Sequence, residues 1–305
     1  MTSVAVIILT RDEARHIERA LASIAAFATQ VFVVDSGSTD ETVGLAEAAG
    51  ATVLHHPWSN YARQFQWGLQ TAPITAEWVM RLDADEVVEA DLAQEIRTRL
   101  ANLPASVTGV NVRRKLVFMG RWIRHGGRYP VTLLRLWRRG AARIEPRWMD
   151  EHMLLTEGEA VTFRGGLVDH NLNDLAFFTA KHDDYATREA IDRLVARHHL
   201  LPGGSAVEPS GSRAAGKRWM KERVYNRLPI WIGPIGYFLY RYVVQMGFLD
   251  GRPGLIYHAL QGGWYRFLVE AKVAEFDAVL APLDGRAVKI AALERVTERR
   301  IADGE

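Results

Sequence analysis

The chain has 305 residues and contains no cysteine. Disulfides and thiolate metal sites are therefore excluded, and any metal ion must be bound by oxygen or imidazole ligands. Long hydrophobic runs are lacking as well. The first apolar run, Val4 to Leu9, is followed at once by Arg11, Asp12 and Glu13, which is too early for a signal peptide or for a membrane span of about twenty residues. We therefore expect the amino-terminal half to face the cytoplasm.

Two glycine-rich nucleotide-binding motifs are also missing. No Gly-x-Gly-x-x-Gly follows the first predicted strand, and Gly-Lys is nowhere followed by Ser or Thr. These motifs hold phosphates through backbone N–H groups in dinucleotide-binding folds and in P-loops. If this chain binds a nucleotide, it must therefore hold it in another way.

A net charge of +2 hides an uneven distribution of charge. Between positions 111 and 147 the sequence has eleven lysines or arginines but a single acid, Glu145. Such a segment predicts an anionic ligand. Nucleic acid fits poorly, because no recognition motif accompanies the arginines and a carboxylate cluster upstream would repel a phosphodiester. A phosphorylated small molecule or a lipid head group fits better.

Hydrophobic residues make up 48% of the chain and charged residues 24%, an ordinary globular composition with enough length for about two domains. Short β-branched and aromatic runs alternate with segments whose apolar residues recur at helical spacing. The predicted strands are 3–10, 30–34, 51–55 and 78–82, and the predicted helices are 13–26, 39–49 and 61–70. This alternation predicts an α/β fold with a mostly parallel central sheet, whose ligands bind at the carboxyl ends of the strands.

The carboxy-terminal part differs in kind. A linker rich in Gly, Ser and Pro, 202–212, is predicted to separate a catalytic domain, 1–201, from a helical membrane-associating region, 213–305. This region opens with six cations interleaved with apolar residues: Arg213, Lys217, Arg218, Lys221, Arg223 and Arg227. The uncharged run Leu228 to Tyr240 is too short to span a bilayer, but it could dip into one leaflet or lie on its surface. The alternative is a buried helical hairpin that forms a dimer interface.

Carboxylates gather where two of the predicted strands end. Asp83 and Asp85 point to the same side of their strand, with the small Ala84 between them. Two hard oxygen ligands suit Mg²⁺ or Mn²⁺, although the pair could instead cap the helix that begins near Glu89. Asp35, in Asp-Ser-Gly-Ser, could accept hydrogen bonds from a base or ribose, or it could be a turn residue only.

The segments Val4 to Glu13, Asp35 to Thr42 and Arg81 to Glu86 resemble the family 2 glycosyltransferases of the GT-A fold, and most of all the bacterial branch that includes lipopolysaccharide-core glucosyltransferases. Two positions depart from the pattern, since relatives usually have Asn in place of Asp12 and many have Asn in place of Gln66. The resemblance implies a nucleotide-sugar donor, in particular a UDP-sugar, and the following donor-binding residues: Thr10, Arg11, Glu13, Asp35, Ser36, Gln66, Asp83 and Ala84.

The resemblance also implies the remaining parts of the site. A histidine near position 170 can complete the metal shell in relatives, so His170 is predicted to join Asp83 and Asp85; a packed surface histidine is the alternative. Relatives carry an acidic acceptor-activating residue near Asp150 and Glu151, often in a His-Glu pair. The order here is Asp-Glu-His, so either carboxylate is predicted to be the catalytic base, and a salt-bridged turn is the alternative.

The acceptor is expected to bind beyond residue 111. The stretch 119–128 contains several glycines together with cationic and aromatic residues, which is typical of a mobile loop that contacts sugar or phosphate. The alternative is a solvated turn. The predicted acceptor- and phosphate-binding residues are Arg124, His125, Arg128 and Arg135.

The combined prediction is an inverting, metal-dependent glycosyltransferase of bacterial surface polysaccharide or lipopolysaccharide synthesis. It would move a sugar from the donor to a lipid-linked glycan, on a polyprenyl diphosphate or on a lipid A-core, at the cytoplasmic face of the inner membrane. Two alternatives stay open at this point. One is a non-catalytic nucleotide-sugar-binding scaffold, and the other is a nucleotidylyltransferase, which the missing glycine-rich and lysine signature disfavours.

Overall fold

The computed structural model describes residues 2–145, 152–201 and 230–301. The chain divides into two compact units, Met1–Leu172 and Asn173–Glu305. The first unit is built around a β-sheet, and the second is helical in its described residues.

Every strand and helix predicted up to residue 82 is present in the first unit. Its strands are β1 Val4–Thr10, β2 Gln30–Asp35, β3 Thr52–His55, β4 Trp78–Asp83, β5 Glu86–Val88, β6 Val107–Phe118, β7 Arg121–Ile123, β8 Val131–Arg138, β9 Ala142–Ile144, β10 Met153–Leu155 and β11 Glu159–Asp169. Its helices are α1 Ile17–Ile24, α2 Thr42–Ala48, α3 Tyr61–Thr71 and α4 Ala90–Arg99, the last followed by the 3₁₀ turn Leu100–Asn102.

The sheet is mixed, so the prediction of a mostly parallel sheet is wrong. Its order is β3-β2-β1-β4-β8-β6-β11-β5, with β7 paired to β6, and β9 and β10 form a separate two-stranded sheet among the described residues. The four strands β3, β2, β1 and β4 are parallel, whereas β8 is antiparallel to both of its neighbours. The reason is that no helix separates β6 from β8, and a parallel pair needs a long crossover connection.

Helices cover both faces of the parallel part of the sheet. Alternate residues of β1 point to opposite sides, so that Val6 and Ile8 pack in a cluster with Leu21 of α1. Ile7 belongs to the opposite cluster, together with Phe65 of α3. Both faces are therefore apolar cores, and apart from Arg81 in β4 the polar residues of these strands lie at the strand ends.

Helix α3 approaches the sheet closely because it carries a glycine at the contact. A Cβ atom added to Gly68 would lie 2.8 Å from Cγ2 of Val34 on β2. That distance is shorter than van der Waals contact, so only a glycine lets α3 lie at this depth.

The second unit is helical. Its elements are α5 Leu175–Arg197, α6 Ile232–Leu239, a π-helix Tyr240–Val244, a 3₁₀ helix Gly247–Asp250, α7 Gly251–Tyr257, a π-helix His258–Trp264, α8 Tyr265–Leu280 and α9 Arg286–Thr297. Helix α5, which the sequence analysis placed in the catalytic domain, packs Ile191 and Leu194 in one core with Val269 and Phe276 of α8. Within the described ranges, no helix combines the length and the apolar character needed to cross a bilayer.

Candidate functional site

Three polar side chains lie at neighbouring strand ends in the first unit. In the parallel register, Thr10 on β1 is paired with Asp35 on β2, and Leu9 is paired with Asp83 on β4. Parallel strands place their carboxyl ends at the same edge of the sheet, which is where ligands bind in such folds. The structure therefore brings Thr10, Asp35 and Asp83 to one edge, as the sequence predicted.

The carboxylate of Asp35 is buried and fully hydrogen-bonded. Oδ1 accepts from the hydroxyls of Thr10 at 2.9 Å and Ser38 at 2.5 Å, and Oδ2 accepts from the backbone N–H groups of Gly37 and Ser38, both at 2.9 Å. Burial alone would raise the pKa of Asp35, but the hydrogen bonds from Ser38, Thr10 and Gly37 outweigh it and hold the pKa below its ordinary value. Asp35 thus makes the side-chain to backbone hydrogen bonds that are expected of a turn residue, and it stays ionised at neutral pH.

Gln64 is a polar residue at this edge that the sequence analysis missed. It is fully buried on α3, and its Nε2 donates to Ser36 Oγ at 2.9 Å and to the carbonyl oxygen of His56 at 3.0 Å. Gln66, the predicted donor-binding residue, is only partly buried. A signal was available, because Gln64 lies one turn before Gly68 and a glycine inside a helix indicates close packing of that face.

Asp83 and Glu86 share one arginine. Nη2 of Arg135, on β8, donates to Asp83 Oδ2 at 3.0 Å and to Glu86 Oε1 at 2.5 Å. Tyr61 donates its hydroxyl to Asp83 Oδ1 at 2.5 Å, and Nε of Arg81 lies 3.4 Å from the same atom. Arg135 is only 3% exposed. The structure therefore places this predicted phosphate-binding arginine on the carboxylate cluster.

The two carboxylates differ in burial and therefore in acidity. The side chain of Asp83 is 26% exposed and that of Glu86 is 1% exposed. Burial is the main cause that raises the pKa of Glu86 to about 8, against the opposing charge of Arg135. Burial would also raise the pKa of Asp83, but the charges of Arg135 and Arg81 hold it well below its usual range. Asp83 is thus the anionic member of the pair.

The predicted metal ligands Asp85 and His170 are neighbours. Strand β11 pairs with β5 so that Asp169 lies opposite Glu86, and the backbone N–H of His170 donates to the carbonyl oxygen of Asp85 at 3.1 Å. The side-chain amide of Asn171 donates to Asp85 Oδ2 at 3.0 Å. Two strand ends that are remote in sequence therefore form one side of the site.

Arg19 of α1 and His16, the residue before this helix, hold the segment after β11 in place, and the sequence analysis missed both. Nη2 of Arg19 donates to the carbonyl oxygen of His170 at 2.5 Å, and Nη1 lies 3.2 Å from His170 Nδ1. His16 accepts from the backbone N–H of Leu172 through Nε2 at 2.9 Å and contacts Glu13 Oε2 through Nδ1 at 2.6 Å. Burial first, and then the charge of Arg19, lower the pKa of His170. His170 is therefore neutral at pH 7, as a metal ligand must be.

The candidate metal ligands, two carboxylates and an imidazole, are of types that bind divalent cations. Asp85 offers a carboxylate, which also accepts from Asn171, and His170 offers an imidazole whose Nδ1 lies within hydrogen-bond distance of Arg19. Asp83 is already paired with arginines. Among residues 2–145, 152–201 and 230–301, no three His, Asp or Glu side chains form a ready metal-binding group. The fit of the site to Mg²⁺ or Mn²⁺ is thus one of ligand type.

The other three predicted acceptor residues, Arg124, His125 and Arg128, lie in the loop between β7 and β8, whereas Arg135 is part of β8. Arg124 is exposed and lies 5.3 Å above the ring of Trp122, which packs edge-on against Tyr129 at 4.9 Å. The backbone N–H of Arg128 donates to the carbonyl oxygen of His125. The loop therefore presents cations next to aromatic rings, a surface that suits a sugar or a phosphate.

The remaining predicted residues lie at or near the same strand ends or outside the described ranges. Asp150 and Glu151 lie outside the described residues. Arg11 is exposed near the end of β1, and the backbone N–H of Glu13 donates to Thr42 Oγ1 at 2.7 Å. Ala84 is buried, and Ser36 bonds Gln64 as described above.

Comparison with known proteins finds a family and several relatives. The family described as Glycosyl transferase family 2 matches residues 5–167, more than half of the chain. An uncharacterized glycosyltransferase of Rickettsia bellii is 42% identical over 89 residues, which are 29% of this chain and 30% of that protein. One of Rickettsia felis is 38% identical over 96 residues, or 32% and 33% of the two chains. The match thus spans about a third of these rickettsial relatives.

A longer match extends into the second unit. The lipopolysaccharide core biosynthesis glycosyltransferase LpsC of Rhizobium meliloti is 28% identical over 257 residues, which cover 83% of this chain and 85% of that protein. Among solved structures, glucosyl-3-phosphoglycerate synthase of Mycobacterium tuberculosis, in complex with Mn²⁺, uridine-diphosphate and glucosyl-3-phosphoglycerate, is 19% identical over 38% of this chain and 44% of that one, with a TM-score of 0.30. The family match agrees with the α/β, GT-A-like architecture of the mixed sheet. The chain therefore belongs to glycosyl transferase family 2.

Proposed function

We propose that the protein is an inverting, metal-dependent glycosyltransferase that uses a nucleotide diphosphate sugar, a UDP-sugar in particular. The observation that supports this proposal is that Asp35 and Asp83 lie at neighbouring strand ends, and that His170 is bonded through its backbone to Asp85, two residues beyond Asp83. In a member of this family, that edge offers polar groups for a nucleotide on one side and ligands for a hard cation on the other.

Asp85 and His170 would bind Mg²⁺ or Mn²⁺ once the ion displaces Arg19 from Nδ1 of His170, and Asp83 would complete the site once the ion competes with Arg135. When bound, the ion supplies positive charge that stabilises the leaving diphosphate. The nucleotide would lie along Thr10, Arg11, Glu13, Asp35, Ser36, Gln66 and Ala84. The four hydrogen bonds to Asp35 occupy both of its oxygens, so a base that bonds this carboxylate must displace one of them. The hydroxyls of Thr10 and Ser38 can rotate away, whereas the two backbone N–H groups cannot.

Asp150 or Glu151 would act as general base, an assignment that rests on the resemblance to relatives. The carboxylate removes the proton from an acceptor hydroxyl, and the oxygen forms a bond to the anomeric carbon. The bond to the diphosphate breaks on the opposite face, and its electron pair leaves with the diphosphate. One displacement inverts the anomeric configuration.

The acceptor is proposed to be a lipid-linked glycan of lipopolysaccharide or another surface polysaccharide, because the relative that matches most of the chain is named for lipopolysaccharide core biosynthesis. Arg124, His125 and Arg128 would bind its phosphate or sugar groups, and Arg135 would act on the donor side through Asp83. Such an acceptor resides in a membrane, so the enzyme would work at the cytoplasmic face of the inner membrane, held there by its carboxy-terminal region and the basic run 213–227.

Replacement of Asp85 tests the proposal directly. We expect Asp85→Asn to lower Mn²⁺ affinity, measured by calorimetry without donor, and to reduce hydrolysis of a UDP-sugar at least a hundredfold, whereas the exposed control Asp284→Asn behaves as wild type. A panel of nucleotide sugars followed by mass spectrometry would identify the donor. Donor binding without any turnover would instead support a nucleotide-sugar-binding scaffold, and full turnover in EDTA would remove the metal from the mechanism.

A further inference from the structure

The segment 230–255 of the second unit, called the apolar segment below, exposes an unusual number of large hydrophobic side chains. Of the twenty-one that are exposed in the described part of the chain, twelve lie in these few turns. The most exposed are Val244 at 68%, Val243 at 54% and Trp231 at 52%. A cluster of this kind marks a surface that is covered by another apolar phase or molecule.

Most hydrophobic side chains of the apolar segment are exposed, but most of its charged side chains are buried. The segment contains three charged residues, and two of them are buried: Arg241 is 3% exposed and Asp250 is 2% exposed. Nη1 of Arg241 donates to Gln261 Oε1 at 2.5 Å, and its guanidinium lies 5.6 Å from the ring of Tyr237. Water favours the reverse arrangement, with charges outside and valines inside. Apolar side chains outside and charged side chains inside are the arrangement expected of a surface that faces hydrocarbon.

The dimensions of the apolar segment restrict how deep it can reach. Helix α6 (8 residues) passes without a break into the π-helix Tyr240–Val244 (5 residues), so the two form one helix of about 20 Å at 1.5 Å per residue. A four-residue 3₁₀ helix then leads to Gly251, where the next helix begins. A bilayer core is about 30 Å thick. The helix 232–244 is therefore too short to cross the bilayer, and it suits one leaflet.

We propose that the apolar segment inserts into the hydrocarbon of one leaflet of a phospholipid bilayer and holds the protein there by burial of apolar surface. The aromatic rings of Trp231, Tyr237 and Tyr240 suit the boundary between hydrocarbon and head groups. The six cations that precede the segment in sequence suit anionic head groups. This inference rests on the proposed function for its membrane location, and it adds which surface enters the lipid and by which force.

The first experiment separates insertion from electrostatic binding. Full-length protein is mixed with vesicles of neutral phosphatidylcholine in 1 M NaCl, where charge interactions are screened within about 3 Å. We expect the wild type to bind, and the double variant Val243→Glu/Val244→Glu to bind at least tenfold more weakly. The matched control, Val288→Glu/Val296→Glu, replaces two exposed valines of α9 and should bind within twofold of wild type.

The second experiment uses the absence of cysteine. Because the chain has none, Val244→Cys and Val288→Cys each introduce a single thiol that can carry an environment-sensitive fluorophore. We expect the probe at position 244 to shift to the blue on vesicles and to be quenched by lipids with brominated acyl chains. The probe at position 288 should show neither change.

Several outcomes would overturn the inference. If the wild type does not bind neutral vesicles, the apolar segment does not insert. If the wild type, Val243→Glu/Val244→Glu and Val288→Glu/Val296→Glu bind equally well, the membrane contact lies outside the apolar segment. If light scattering shows a dimer that Val243→Glu/Val244→Glu converts into a monomer, without an effect on vesicle binding, the segment is an interface between two copies of the chain. UDP-sugar hydrolysis, measured without vesicles, should be equal in all of the variants. Its absence from every protein, with vesicle binding intact, would contradict the proposed function and leave the insertion standing.

Discussion

At the scale of single residues, the best defined group is Asp35, whose acidity follows from its hydrogen bonds. Its folded pKa lies below the ordinary value, so the unfolded chain binds more protons as the pH falls through that range. The stability that this carboxylate contributes is therefore fully present above a pH of about 4 and is lost as the pH falls through the folded pKa.

We predict that Asp35→Asn lowers the free energy of unfolding by about 1–3 kcal/mol at pH 7, because the neutral amide replaces the charge-assisted hydrogen bonds from the N–H groups of Gly37 and Ser38 by weaker ones. The difference from wild type should shrink below a pH of about 4, where the native carboxylate also loses its advantage. Urea denaturation between pH 7 and pH 3 measures both effects, with the exposed Asp284→Asn as control. A difference that is constant or grows in acid would show that the Asp35 carboxylate does not contribute in this way.

The catalytic base is also a question for single residues. We predict that only one of Asp150→Asn and Glu151→Gln reduces transfer to an acceptor, by about 10²–10⁴-fold, which is the range for loss of a general base. Affinity for the UDP-sugar, measured by calorimetry, should be unchanged in both variants, and each serves as the control of the other. Nearly full transfer by both would move the base to a different residue.

At the scale of elements, the packing of α3 on β2 explains how Gln64 reaches Ser36. Gly68 allows the helix to approach Val34, and Gln64 lies one turn away on the same face. The depth of the helix thus decides which polar residue reaches the strand end.

We predict that Gly68→Ala destabilises the protein by about 1–3 kcal/mol, since the new methyl group would lie 2.8 Å from Val34 Cγ2. The matched control is Gly44→Ala in α2, where an added Cβ meets nothing within 4 Å. There, alanine should be neutral or stabilising by up to about 1 kcal/mol because of its helix propensity. In a Val34→Ala background the cost of Gly68→Ala should fall, and thermal unfolding of all five proteins measures this coupling. Additive effects would mean that the two side chains do not compete for space.

At the scale of the whole molecule, two forces are proposed to hold the protein at a membrane. The apolar segment would contribute burial of hydrocarbon surface, and the basic run 213–227 would contribute charge. These forces can be separated because charge acts only on anionic lipids, at about 1 kcal/mol per cation near the surface.

We predict that replacement of Lys217, Arg218, Lys221 and Arg223 by Glu abolishes the preference for anionic over neutral vesicles and slows transfer to a lipid-linked acceptor. Hydrolysis of the donor should be nearly unchanged, because it needs the strand-end site alone. Vesicle co-sedimentation at low salt measures the first effect, and the apolar-segment variant serves as the contrasting control. A parallel loss of donor hydrolysis would indicate that the basic run is needed for folding.

The sequence by itself determined those features that depend on neighbours along the chain. The alternation of strands and helices, the polar residues at the ends of β1, β2 and β4, and the carboxylates around Ala84 all follow from local patterns of apolar and polar residues. The family follows from the same segments, because they carry its motifs. The domain boundaries and the membrane-associating role of the carboxy-terminal region stay predictions.

Only the tertiary structure decided which distant residues meet at the site. The antiparallel strand β8 brings Arg135 to Asp83, and β11 returns beside β5 so that His170 lies next to Asp85. Arg19 on α1 reaches His170, and Gln64 on α3 reaches Ser36, because these two helices pack on the sheet. No local pattern encodes these contacts, since strand order and direction depend on the packing of the whole sheet, and the charge and pKa of each carboxylate depend in turn on the partners that this packing supplies.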